Sequence, residues 1–331
     1  MSDGELVDPF GRRIDYLRLS VTDRCDFRCV YCMPENMRFN ARDELLSIDE
    51  LYQIANTFIG LGVRRIRITG GEPLVRKDLL TLLYKLGERS ELDDLSITTN
   101  GSQLVGRAEE LRRSGVRRLN VSLDSLHRER FALLARRDSL IKVLEGIEKA
   151  RSVGFERIKI NSVIQKGINN DEVYELAIYA LERGLDISFI EEMPLGAVGS
   201  HDRAKTLCTS HEVLERLSDK LELSPVTERT GGPSKYYQVK GFESRIGFIS
   251  PHSRNFCNEC NRVRVTADGK LVLCLGEDNA IDLKGVLRGA RYSEDAMRSK
   301  IIEAMKLKPA KHGFESSQHV QVIRFMNVTG G

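Results

Sequence analysis

The sequence predicts an α/β protein with six βα units followed by a smaller α+β extension. Three observations carry this. Glycine repeatedly closes a helix-periodic segment just before a β-branched run. That rhythm stops after Met193. The chain has 331 residues, 41% of them hydrophobic, which is enough to bury a core of that size.

The first strand is Tyr16 to Val21, and a loop rich in cysteine follows it. Ser47 and Glu50 have the spacing of a capping box and open a helix. Runs beginning at Gly62, Gly115, Gly154 and Gly184, together with Leu95 to Thr99, supply five more strands. Helical spacing is plain between them, as at Leu140, Ile141, Val143, Leu144, Ile147, Ala150 and Val153. Repeated βα units imply a parallel sheet with right-handed crossovers. Local pattern fits an open doubly wound sheet and a partial barrel equally. In both, the site lies at the C-terminal ends of the strands. Those ends are polar at 69–72, 98–100, 122–124, 159–161 and 191–193. Turn and capping needs account for part of that polarity.

After Met193 the pattern changes, and the chain divides into a core at 1–193 and an extension at 194–331. Pro194 to Thr209 reads as a loop and 210–220 as a helix. Lys235 to Val239, Arg245 to Ile249, Arg262 to Thr266 and Leu271 to Leu275 read as short strands, the last two joined by a hairpin turn at Asp268 and Gly269. Helices near 281–288 and 293–306 follow, then a polar tail from Pro309 to Gly330 and Gly331.

Lys and Arg number 51 against 48 Asp and Glu, so nothing drives the chain toward nucleic acid or an anionic membrane. It has no long apolar run and no secretory h-region in Met1 to Phe10, so a cytoplasmic protein is expected.

Six of the seven cysteines form two triplets. In a reducing compartment such spacing favours metal ligation over disulfides. Cys25, Cys29 and Cys32 follow the pattern CxxxCxxC after the first strand. Three thiolates so close can hold three irons of a 4Fe–4S cluster and leave the fourth open, whereas structural zinc takes four closed ligands. Cys257, Cys260 and Cys274 form the second triplet. It suits either a second open cluster or a zinc knuckle completed by His252. Cys208 reads as an ordinary thiol.

CxxxCxxC with Tyr31 before its last cysteine, and Gly70, Gly71, Glu72 and Pro73 after the second strand, resemble the radical S-adenosylmethionine (SAM) superfamily. Cys260, Asn261, Arg262, Val263 and Arg264 resemble the GTP 3′,8-cyclase family within it. The likeness extends over nearly the whole chain, including 17–25, 66–74, 98–101, 120–124, 164–167 and the Gly330–Gly331 end.

The resemblance implies a partial, six-unit TIM-like βα barrel whose C-terminal extension carries a second 4Fe–4S cluster. It implies that SAM chelates the open iron of the first cluster and yields a 5′-deoxyadenosyl radical, with contacts at Tyr31, Gly71, Ser122 and Met193. It places GTP at Arg18, Arg67, Thr98, Lys159, Arg262 and Arg264, the last two as candidate catalytic residues, and guanine at the second cluster's open iron. A triphosphate is a natural partner for such cations. The implied product is 3′,8-cyclo-7,8-dihydro-GTP, the first step toward the molybdenum cofactor. Implied partners are cyclic pyranopterin monophosphate synthase downstream and a flavodoxin or ferredoxin donor, for a monomer or homodimer. The Gly-Gly tail is expected to reach into the site. Ser188 departs from the family, which often carries arginine there; Arg183 and Arg203 are candidates to replace that cation. Two other readings share the triplets: a radical SAM enzyme acting on a peptide or another small molecule, and a non-enzymatic metal scaffold.

Overall fold

The computed structural model describes residues 5–196, 198, 201–227, 231–254, 256–314 and 324–330. The first six strands are β1 (Tyr16–Ser20), β2 (Arg65–Thr69), β3 (Asp94–Thr99), β4 (Arg118–Ser122), β5 (Arg157–Ile164) and β6 (Asp186–Glu191). They are parallel and lie side by side in sequence order. A doubly wound sheet reverses its order at a switch point; this run has no reversal. Between the strands stand α1 (Ile48–Gly60), α2 (Leu79–Gly87), α3 (Leu104–Arg113), α4 (Arg128–Ala135), α5 (Leu140–Val153) and α6 (Val173–Glu182). The capping box of α1 forms as its sequence predicts, and Gly154 ends α5 in the left-handed conformation, φ +80°.

The later elements are α7 (Arg203–Thr206), α8 (Ser210–Ser218), β7 (Leu223–Pro225), β8 (Lys235–Val239), β9 (Arg245–Ile249), β10 (Arg262–Val265), β11 (Lys270–Val272), β12 (Ala280–Asp282), α9 (Lys284–Leu287), α10 (Glu294–Met305) and α11 (Met326–Thr329). Their strands extend the same sheet at both sides. β10 pairs parallel with β1, and β9 pairs parallel with β6. The sheet therefore runs β12-β11-β10-β1-β2-β3-β4-β5-β6-β9-β8-β7. The expected loop at 194–209 contains α7, whose N-cap Asp202 accepts from the Ala204 amide. β7 and α11 are too short to show a period in sequence, and the helix expected near 281–288 is instead β12 followed by the shorter α9.

Strand alternation divides the sheet into two unlike faces. Leu17, Leu19, Ile66, Ile68, Ile97, Leu119, Val121, Ile160, Ile187 and Phe189 are buried in the main apolar core with the helices. The opposite face is polar. One register row reads Arg264, Arg18, Arg67, Ser96, Arg118 and Arg157 across six adjacent strands. The next includes Thr98, Asn120, Lys159 and Asp186, and a third Ser122, Asn161, Ser188, Gly247 and Tyr236. No helix of the described residues is long and apolar enough to cross a membrane.

Candidate active site

The polar face lines a cavity of about 280 Å³. Every residue singled out for cluster, SAM or GTP contact lies on its wall: both cysteine triplets, Tyr31, Gly71, Ser122, Met193, Arg18, Arg67, Thr98, Lys159, Arg262 and Arg264.

The Cys25–Cys32 loop is tied down from several strands. Asp26 accepts from Asn100 Nδ2 and Ser102 Oγ, both at 2.6 Å, which anchors it to the exit of β3. Gly71 donates its amide to the Thr22 carbonyl at 2.8 Å, and a Cβ there would stand 2.4 Å from the Arg24 carbonyl oxygen. Only glycine allows this approach. Glu72 is buried and accepts from the amides of Leu74 (2.9 Å) and Asn100 (2.6 Å) and from Thr99 Oγ1 (2.9 Å). Tyr31 donates its hydroxyl to Asp124 Oδ2 at 2.6 Å. Burial raises the Asp124 carboxyl to about 6, against the lowering effect of Tyr31 and the Val163 amide. Burial also holds the thiols of Cys25, Cys29 and Cys32 above their usual range, Cys32 at about 12. Such thiols become thiolates when a metal-centred cation meets them, so the donor set fits an iron–sulfur cluster.

The cation row is crowded. Burial and the neighbouring Arg67 and Arg262 lower Arg18 to about 10. Burial, then Arg18 and Arg262, pushes Arg264 well below the usual guanidinium range. Burial lowers Lys159, whose ammonium lies 3.4 Å from the Tyr236 hydroxyl. Arg67 stacks over Tyr16, 5.5 Å from the ring centroid. Clustered buried cations are unfavourable until an anion joins them. Polar atoms also await a ligand: among the described residues, Thr98 Oγ1, Asn120 Nδ2 and Asn161 Oδ1 are buried without a hydrogen-bond partner.

The second triplet closes the cavity from the extension. Cys257 Sγ accepts from the His312 amide at 3.3 Å, and Lys308 Nζ stands 3.6 Å from Cys260 Sγ. Burial opposes ionisation of Cys260, but Arg262 and Lys308 outweigh it and bring its thiol to about 7. His252 is turned elsewhere, its Nε2 2.8 Å from the Glu192 carbonyl oxygen. Among the described residues no three His, Cys, Asp or Glu side chains are arranged to hold a single metal ion.

The tail reaches this cavity. Met326 and Asn327 line it, Asn327 Nδ2 donates to the Asp23 carbonyl at 2.8 Å, and Arg264 donates to the carbonyls of Thr329 (3.3 Å) and Gly330. Gly330 has φ +76°, and a Cβ there would meet Thr69 Oγ1. Gly331 lies outside the described residues.

Ser188 is buried and bonds Ser234 Oγ at 2.9 Å. Arg183 is on the outer surface, bound to Glu148 at 3.0 Å. Arg203 is nearer the site but committed. It donates to Glu192 Oε1 (2.9 Å) and to the carbonyls of Gly196 (2.8 Å), Leu195 (2.6 Å) and Tyr31 (3.4 Å). The further cations on the wall are Arg118 and Arg157, which sequence reasoning passed over. The alternation that selects Arg67 and Lys159 also selects them. Arg118 is forked onto Asp94, with Nε at 2.7 Å from Oδ1. Asp124 and Asn161 fall in strand exits whose polarity marks the site in sequence, and Asn120 in the 120–124 likeness; Tyr236, and the bond from Tyr31 to Asp124, bring together distant segments that no local spacing pairs.

Comparison with known proteins identifies the class first. The family model for the Radical SAM superfamily matches residues 19–180, and that for Molybdenum Cofactor Synthesis C matches 185–314. The fold is also that of Streptococcus suis SuiB bound to S-adenosylmethionine (TM-score 0.61, 16% identity, 86% of this chain and 68% of that one). The chain is 63% identical to GTP 3′,8-cyclase of Ectopseudomonas mendocina and 62% identical to GTP 3′,8-cyclase 2 of Pseudomonas aeruginosa, each over the full length of both chains. It belongs to the GTP 3′,8-cyclase family of radical SAM proteins.

Proposed function

We propose that this chain converts GTP to 3′,8-cyclo-7,8-dihydro-GTP, the first step of molybdopterin biosynthesis. The observation that carries the reading is one cavity walled by two cysteine triplets and a buried row of cations. Family membership at 63% identity supports it. When bound, the first 4Fe–4S cluster would supply one electron to SAM and so provide a 5′-deoxyadenosyl radical able to take the ribose 3′ hydrogen; closing C3′ onto C8 of the guanine would then require one further electron and a proton to reach the closed-shell product.

Cys25, Cys29 and Cys32 hold the first cluster in this reading. Tyr31, Gly71, Ser122 and Met193 orient SAM, with Asp124 fixing the Tyr31 ring through its hydroxyl. Arg18, Arg67, Thr98, Lys159, Arg262 and Arg264 take GTP, the arginines gripping the triphosphate and so relieving the crowding of like charges. Cys257, Cys260 and Cys274 hold a second 4Fe–4S cluster facing the guanine. The unbroken strand order supports a partial βα barrel, and 1–193 and 194–331 divide into radical core and substrate-facing extension. A cytoplasmic setting, a flavodoxin or ferredoxin donor and cyclic pyranopterin monophosphate synthase downstream complete the reading.

The test is anaerobic. Reconstituted protein, GTP, SAM and dithionite are incubated, and the products are read by mass spectrometry. 5′-Deoxyadenosine together with an isomer of GTP is expected. Deoxyadenosine without the isomer rejects GTP as the productive substrate.

A further inference from the structure

We infer that Lys308 is a built-in counter-charge of the second cluster and raises its reduction potential. The inference rests on the reading that Cys257, Cys260 and Cys274 hold an iron–sulfur cluster.

Lys308 follows α10 and is only 3% exposed. Its ammonium has three partners on two stretches of chain. It stands 3.6 Å from Cys260 Sγ, and donates to the Arg262 carbonyl at 3.1 Å and the Leu273 carbonyl at 2.5 Å. Leu273 immediately precedes Cys274. None of these partners is a carboxylate. Burying an ammonium among neutral dipoles and a thiol is unfavourable unless an anion completes the set. Lys308 is not on the cavity wall, so a substrate phosphate is not that anion. A cluster ligated by three thiolates is.

Cys25 of the first triplet is held differently, while Cys32 has its own cation nearby in Arg203. The donors to Cys25 Sγ are the Phe27 amide at 3.4 Å and Asn100 Nδ2 at 3.8 Å, both neutral. Charge and hydrogen bonds at the sulfurs set cluster potentials. A fixed cation stabilises the state holding the extra electron, so it raises the potential. Lys308 acts through Cys260 and is a positioning residue, outside the reacting atoms.

The test uses the full chain carrying Cys25→Ala, Cys29→Ala and Cys32→Ala, so that the second cluster alone is reconstituted. Iron content reports the cluster; a chain binding no iron sinks the underlying reading, separately from the inference about Lys308. The midpoint potential is then followed by electron paramagnetic resonance. Lys308→Gln keeps a donor for the carbonyls but removes the charge, and should lower the potential with iron retained. Lys308→Arg should restore it. An unchanged potential in Lys308→Gln overturns the inference. Loss of iron in Lys308→Gln also overturns it, because the lysine would then be a structural clamp.

Discussion

Arg264 concentrates the chemistry of single residues. It is buried, its positive charge is disfavoured by burial, Arg18 and Arg262, Tyr16 and Cys260 favour that charge, and its guanidinium donates to the tail carbonyls of Thr329 and Gly330. Arg264→Ala should keep full iron and still bind SAM, yet lose on the order of 10²-fold or more in GTP turnover, as removal of a charged contact at a reacting centre does. Normal turnover would displace the triphosphate from this row. Tyr31→Phe removes a single buried hydrogen bond, worth about 1 kcal/mol. SAM affinity measured by equilibrium binding should fall several-fold while iron content holds. Arg67 and Lys159 are legible in sequence through strand alternation and charge, and Arg18 only through the family resemblance. The role of Asp124 is not: it depends on Tyr31, 93 residues away in the chain, and no local spacing encodes that meeting.

Among elements, the strand exits decide how the cluster loop sits. Gly71 approaches the Arg24 carbonyl so closely that an added methyl must move the loop that carries Cys25. Gly71→Ala should therefore weaken SAM binding and reduce iron at the first cluster, leaving the second filled, which spectroscopy of each cluster separates. At α8, whose Ser210 amide bonds Glu191 of the cavity wall at 2.8 Å, the first turn is closed by a capping box in which Thr209 and Glu212 bond reciprocally. Thr209→Ala should cost about 1 kcal/mol, a fall of roughly 2 °C in Tm for a chain of this size, with activity unchanged. Six strands and their helices were visible in sequence because each is long enough to show a period. α7, at four residues, was read as loop, since its only signal was the Asp202 cap.

For the whole molecule, the decisive fact is that residues after 193 flank the first six strands on both sides. Sequence located β8 to β11 but gave no sign that β10 would lie beside β1 or β9 beside β6. Pairing between strands so distant depends on which edges are left open. The arrangement brings the second triplet to the cavity that the first already lines. Two clusters per chain correspond to about eight irons. Cys257→Ala should bring the count to about four, preserve SAM binding and abolish cyclisation.

The pairing of β10 with β1 also has a consequence in time. A chain grows on the ribosome at roughly 5–20 residues per second. The edge of β1 that will receive Arg262 to Val265 is made early, and its partner emerges about 240 residues later, which is roughly 12–50 s at that speed. Throughout that interval the β1 side of the nascent sheet lacks its strand partner and leaves a bare hydrogen-bonding edge beside Arg18. Lys and Arg on an open edge discourage association with other chains. Arg18, which lies on that edge strand, is then expected to help keep unfinished copies apart until the last third of the sequence arrives.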